Sequence, residues 1–360
     1  MLKTIATATL VAAAATATAQ QNVVWSLDVA TVLENREGDD YYTPDQTIFQ
    51  TRVSPEIGIS LLGGEHLLMG GVAWTQPCDS HCDDYDVAAT VYYQYRSPQW
   101  SLTLGMFPRS KLIEPMHTVE WSDLMAYSVP NIRGALLQVV RPRGFAELSL
   151  DWRALQSATR REAFNVNLNT RWNPTGALMV GGRAHYNHLA KSSANNEDQG
   201  VNDDVMLNPY IGLNLAAATS LDSLTITAGP IAQLERDRAD GKGWRTPAGV
   251  LIDAAAEWKW LGVKETFFAG KNLYPLYSKY GDLLNLGHPG YQSKIYSRTG
   301  VYAYIFRNRF VNLEAALDFH YTKEAFYFWQ KISLRVYVDS HSWTRKDAAC
   351  TREERLRSIY

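Results

Sequence analysis

Past its first 19 residues the chain has no run approaching the roughly 18 consecutive apolar residues of a membrane-spanning helix, so helical spanning is excluded. An excess of charge is missing too: 35 Lys and Arg stand against 37 Asp and Glu. Phosphate-rich partners normally demand a clustered basic surplus, so no nucleic acid is expected as a partner. There is no G-x-S-x-G, no H-E-x-x-H and no Gly-rich phosphate loop. Cysteine is scarce, with only Cys78, Cys82 and Cys350, and none stands where a cleaved leader would leave a lipid-modified N-terminus. Charged residues at 20% and hydrophobic ones at 46% also exclude wholesale disorder.

What is plentiful is aromatic. Trp, Tyr and Phe together make 12% of the chain and accompany 24 glycines, which leans toward sheet and tight turns. The N-terminus reads as a secretory signal over residues 1–19. Lys3 heads an uncharged stretch that ends in Ala17-Thr18-Ala19, making Gln20 the expected first mature residue. An exported chain without a membrane helix can still cross a bilayer, because a strand does so in about 9–11 tilted residues of which only alternate ones meet lipid.

Period-two alternation runs through the mature chain. Ala146, Leu148, Leu150 and Trp152 oppose Glu147, Ser149, Asp151 and Arg153; Phe164, Val166 and Leu168 oppose Asn165, Asn167 and Asn169. Val180, Gly182, Ala184 and Tyr186 oppose Gly181, Arg183, His185 and Asn187, and Val311 to Phe319 repeats the pattern. Successive side chains of a strand point to opposite faces, so each run is a strand with one apolar and one polar side. About 16 such runs can be read, starting near Val23 and ending with the one near Ala325. Short turns such as Leu62-Gly63-Gly64 and Asn173-Pro174-Thr175-Gly176 alternate with longer polar connections such as 108–130, 189–204 and 271–293. The pattern predicts an all-β transmembrane up-and-down antiparallel barrel over residues 20–339, with short periplasmic turns and long extracellular loops, followed by a polar tail at 340–360. Trp25, Trp100, Trp152, Trp172, Trp258, Trp260 and Trp329 fall near the expected strand ends and suit interfacial girdles.

Four local strings carry a family resemblance: Leu104-Gly105-Met106-Phe107-Pro108-Arg109, Leu150-Asp151-Trp152-Arg153, Arg160-Arg161-Glu162-Ala163-Phe164, and the run Gln330 to Tyr337. With the architecture, they make the chain resemble porin-like outer-membrane β-barrels of Gram-negative bacteria. The resemblance implies export to that membrane, lipid as surroundings and contact with the barrel-insertion machinery; it brings no substrate with it, and oligomerisation stays open. Tyr337 or Trp343 would supply the aromatic insertion signal, since the tail departs from the usual aromatic end.

In this register the inward side carries Arg52, Glu56, Arg96, Arg109, Glu147, Asp151, Arg153, Arg171, Arg183, His185, Asp253, Glu257, Arg298, Glu314, Asp318 and Arg335. They are expected to line a pore or to form wall salt bridges. The connection from Pro108 to Pro130 mixes apolar residues with Lys111, Glu114, His117, Glu120 and Asp123, as a loop folded into the lumen to constrict it would. A surface loop is the plainer reading. Tyr274, Tyr277, Tyr280 and Tyr291 on the other long loop could stack on sugars or pack the loop. The balanced charge predicts passive diffusion of small hydrophilic solutes with weak ion selectivity. No catalytic residue, metal or cofactor is expected, and the chain is read as a non-enzyme. Two alternatives remain: a noncatalytic receptor or assembly partner, and a hydrolase at the outer rim drawing on His185, His188, Asp151 and several serines. Cys78 and Cys82 are expected to close a small disulfide ring, with a metal site as the alternative, leaving Cys350 unpaired.

Overall fold

The computed structural model describes residues 22–38, 41–79, 84–194 and 199–341. The expected signal segment, Cys82, Cys350 and the tail beyond residue 341 lie outside the described residues. Cys78 is exposed, and its sulfur lies 3.5 Å from Thr51 Oγ1.

Sixteen antiparallel strands close into one barrel. The first eight are β1 (Asn22–Glu37), β2 (Gln46–Leu61), β3 (His66–Pro77), β4 (Asp86–Arg96), β5 (Trp100–Pro108), β6 (Asn131–Arg141), β7 (Gly144–Ala154) and β8 (Ala163–Trp172). The rest are β9 (Leu178–Leu189), β10 (Asn202–Asn214), β11 (Ser223–Asp237), β12 (Ala248–Trp258), β13 (Leu261–Gly270), β14 (Ile295–Arg307), β15 (Val311–Thr322) and β16 (Phe326–Asp339). Each strand pairs with its sequence neighbours, and β1 closes on β16 from Ser26↔Asp339 to Glu37↔Phe328. Closure is what lipid demands, because an open edge would leave backbone N–H and C=O groups with neither water nor protein to bond.

The outer surface follows from alternation. Val23, Ile57, Val91, Leu148, Ile211, Val263 and Ile332 all point outward and are exposed, an apolar band where a soluble sheet would present polar groups. Trp25, Trp100, Trp172, Trp258 and Trp260 ring the end with the short turns and both strand termini of the closure. Trp329 departs from that expectation. Odd-numbered residues of β16 face inward, so it lies inside, 1% exposed beneath the Arg36 guanidinium. The β12–β13 turn falls at Lys259-Trp260, with Lys259 in the left-handed region at φ 54° and its N–H bonded to Asp222.

Two long connections at the opposite end turn into the barrel. Residues 109–130 include the short helix α1 (Asp123–Ser128), capped by Ser122 Oγ accepting from Met125 N. Residues 271–294 lie against them. Ser122 N donates to Leu286 O at 2.7 Å, His288 N to Thr118 O at 2.7 Å and Tyr274 Oη to Val119 O at 2.7 Å. Gly287 permits this contact, since a Cβ there would meet Tyr274 Oη at 2.1 Å and Val119 O at 2.3 Å. The core of the molecule is therefore inside the barrel, where Val119, Tyr274 and Tyr291 pack on Met206, Ile231, Leu251 and Phe268 of the wall.

Candidate functional site

Inside, the wall's polar side chains are spent largely on holding the two loops. Arg109 Nη2 donates to Asp151 Oδ2 at 2.6 Å, Ile113 N to Glu147 Oε2 at 2.7 Å, and Glu114 pairs with Arg171 at 2.5 Å. His117 Nε2 lies 2.9 Å from Asp253 Oδ1, and Arg183 Nη1 reaches the other oxygen, Oδ2, at 3.4 Å. Arg298 grips Asp123 through two contacts of 2.8 and 3.1 Å and Asp318 at 3.0 Å. Burial alone would raise the Asp123 carboxyl; the Arg298 charge overrides it and holds the group below the usual carboxylate range. Tyr127 Oη reaches Glu34 at 2.5 Å and its carbonyl accepts from Arg52 at 3.1 Å. Residues 109–130 thus cross the bore from β5 to β1 and β2.

Lys111 lies over the Tyr92 ring at 4.6 Å, and Glu120 is buried. The other residues read as inward also lie on the interior side. Arg335 bonds Asp28, Glu56 accepts from Tyr92, and Glu257 accepts from Tyr302 and Tyr304. Arg153 donates to Leu283 O, Arg96 sits exposed at the short-turn end, and Glu314 shares the face of buried Asn312. Tyr274, Tyr280 and Tyr291 are buried in loop packing.

The sequence's candidate hydrolase trio is split by the wall. Asp151 is fully buried inside beneath Arg109, and His185 is buried inside at 3.2 Å from Asp204 Oδ2. His188 is in phase with Tyr186 and Ala184 and points out. There it meets Asp203, which shares the outward phase of Val205 and Leu207.

Strand register aligns this outer group in a row. Phe164 pairs with His188, His188 with Asp203, and Asp203 with Arg236, across β8 to β11 near the end that carries the long loops. His188 Nδ1 lies 3.2 Å from Asp203 Oδ1, and Tyr186 Oη donates to the same oxygen at 2.9 Å. Arg236 Nη2 and Arg238 Nε each reach Asp203 Oδ2 at 2.8 Å, and Arg238 Nη2 reaches Oδ1 at 2.9 Å. The aromatic neighbours are Phe164, 5.0 Å from the His188 ring, Trp152 stacked 5.0 Å beyond it, and Trp244 beneath Arg236 at 4.5 Å. Both hydrogen-bond contacts of the His188 ring among the described residues are made at Nδ1, which leaves Nε2 unengaged. A histidine held by a carboxylate at one nitrogen and open at the other is the arrangement of a general base. Asp203, Tyr186, Arg236 and Arg238 were not singled out in the sequence. Their signal was available: polar residues in phase with the lipid-facing side, within three residues of a strand end.

Comparison with solved structures gives the fold. The outer membrane protein opdK of Pseudomonas aeruginosa matches with a TM-score of 0.50 at 10% identity, covering 88% of this chain and 99% of that one. A BenF-like porin of Pseudomonas fluorescens Pf-5 matches at 0.50 and 8% identity over 89% and 99%, and OccAB2 of Acinetobacter baumannii at 0.51 and 10% over 89% and 98%. No curated protein matches the chain. The expectation of a non-enzyme is overturned by a family model that covers residues 15–341: the chain belongs to the lipid A 3′-O-deacylase-type family.

Proposed function

We propose that the protein is a hydrolase of the Gram-negative outer membrane that releases an ester-linked acyl chain from lipid A, the reaction for which its family is described. The observation that carries this reading is the His188–Asp203 pair on the lipid-facing side of the wall, near the end with the long loops, where a membrane-embedded ester could reach it. His188 Nε2 takes a proton from water as the water oxygen attacks the ester carbonyl carbon. Asp203 stabilises the imidazolium that forms, and the proton then passes to the alkoxide oxygen as the acyl C–O bond breaks. The products are a free fatty acid and the sugar hydroxyl. Tyr186, bonded to the same Asp203 oxygen, fixes the carboxylate's orientation. In this reading the expected signal over residues 1–19 directs export, and the insertion machinery seats the barrel with its long loops outward.

The test is the mass spectrum of lipid A extracted from cells expressing the protein. Loss of one ester-linked chain with the wild type, absent with His188→Ala, supports the reading; unchanged lipid A with the folded wild type overturns it.

A second reading, a channel for small hydrophilic solutes, is favoured by one observation: charged groups of both signs, paired as Glu114–Arg171 and Asp123–Arg298, line the interior where residues 109–130 cross it. Mixed signs at that level fit weak ion selectivity.

A further inference from the structure

Deepening the proposed lipid A reading and resting on it, we infer that Arg236 and Arg238 form a docking site for a phosphate monoester carried by the substrate lipid, beside His188. Two guanidinium groups converge on a single carboxylate, Asp203, so the outer cluster holds one more positive than negative group. Asp203 satisfies only part of their donor capacity. Arg236 Nε is buried with no acceptor, and the Arg238 side chain is 48% exposed beside it. A planar guanidinium offers parallel N–H donors matched to phosphate oxygens, and a pair of them offers two such edges.

Position argues for a lipid as the carrier. Both arginines lie at the loop end of β11, flanked on the outer face by Trp244, Trp152, Phe164 and Tyr186. Aromatic rings of this kind mark headgroup depth in a bilayer. A phosphate bound there would belong to a molecule whose chains descend along the apolar wall, with its ester within reach of His188. Asp203 would then serve two roles, orienting the base and presenting the arginines.

The experiment measures binding to lipid A and to its phosphatase-treated counterpart by full-length protein in nanodiscs, in a His188→Ala background that removes turnover. Phosphorylated lipid should bind about tenfold or more tightly, with an advantage that shrinks as salt rises. Arg236→Gln/Arg238→Gln should abolish that advantage while leaving binding of the dephosphorylated lipid unchanged. Because Asp203 could be disturbed in the double variant, Arg238→Gln alone is the second test and should remove part of the advantage. Arg238→Lys should restore less of it than arginine supplies. Equal binding of the two lipids by the starting protein, or loss of both alike in Arg238→Gln, would overturn the inference. Displacement by millimolar inorganic phosphate in the absence of lipid preference would assign the site to free phosphate instead. Phosphate-dependent binding without acyl release by the His188 protein would retain the docking site and remove the hydrolase.

Discussion

Asp203 and Asp204 are neighbours in the chain and lie on opposite sides of the barrel wall, each with a histidine of β9. Asp203 Oδ1 is 3.2 Å from His188 Nδ1 outside, and Asp204 Oδ2 is 3.2 Å from His185 Nε2 inside. The inner pair is sealed, with Asn187 and Gln233 also donating to Asp204 and both members almost fully buried. The outer pair keeps a histidine that is 17% exposed. His188→Ala and Asp203→Asn should therefore lower acyl release by about 10²–10⁴-fold, the range of a lost general base and its partner. His185→Ala should leave the rate unchanged and lower only the denaturation midpoint. Mass spectrometry of lipid A, with heat-modifiable gel migration to report folding, separates the two. An inner variant that is folded and inactive would move the chemistry into the lumen.

The clasp between Asp123 and Arg298 fixes the middle of the inward loop to β14. Asp123→Ala removes the carboxylate and leaves a buried guanidinium with Asp318 as its remaining acidic partner in this cluster, so residues 109–130 should loosen. In planar bilayers the expected result is a larger and noisier single-channel conductance than the wild type's. If the wild type conducts and the variant conducts identically, the loop does not restrict the bore.

The barrel was legible because lipid imposes one rule on every strand: alternate residues must be apolar. That rule marked out the run of strands from β1 to β16 and told which face of each points inward, as it did for β7, β8, β9 and β15. The inward course of residues 109–130 was partly legible from composition, since charges mixed with Leu112, Met116 and Trp121 need both polar partners and burial. The inward turn of residues 271–294 and its contact with that loop through Gly287 were not, because they depend on residues some 170 apart whose proximity no local pattern encodes. The outer cluster was obscured for a related reason. His188 and Asp203 belong to different strands, and only the β9–β10 register makes them partners. Trp329 failed as a girdle residue because nearness to a strand end says nothing about phase.

Gly287→Ala tests the loop contact directly. The added methyl would fall 2.1 Å from Tyr274 Oη and 2.3 Å from Val119 O, both on buried groups that have little room to yield. A destabilisation of about 1–3 kcal/mol is expected, read as a lower urea midpoint and faster proteolysis of residues 271–294. Gly281→Ala is the comparison, since nothing lies within 4 Å of a Cβ there, although its φ of 54° carries its own strain.

Acid should weaken the same region. Burial, with the nearby Arg298 charge adding to it, pushes the His288 imidazole down to about 3. In the unfolded chain it titrates near 6.5, so between about pH 6.5 and pH 3 the unfolded state binds the proton and the folded state does not. The stabilising contribution is therefore whole above pH 6.5 and falls as pH drops, by up to about 1.4 kcal/mol per unit. His288→Gln should cost stability at neutral pH and flatten the acid slope. Urea midpoints measured from pH 7 to pH 4 would show it, and an unchanged slope would mean that His288 is not the group responsible.

Glu265 stands against the rule that shapes the rest of the exterior. Thr266 reaches inward to Asp253 and Phe268 is buried inside, so Glu265 faces out, midway along β13, between Val263 and Phe267. Among the described residues it is the charged side chain that faces lipid away from a strand end. Ser297 Oγ donates to it at 2.7 Å and Thr299 Oγ1 donates to its other oxygen, two hydroxyls of β14 on the same outer face. Those bonds offset only part of the cost of placing a carboxylate in hydrocarbon. If lipid alone surrounds this surface, Glu265→Leu should stabilise the barrel in bilayers by about 1 kcal/mol, and Glu265→Lys should destabilise it by about 1–2 kcal/mol. Reversible urea unfolding in liposomes measures both. A Glu265→Leu barrel that is less stable than the wild type would show that the carboxylate contributes more through its bonds on this face than it costs in lipid.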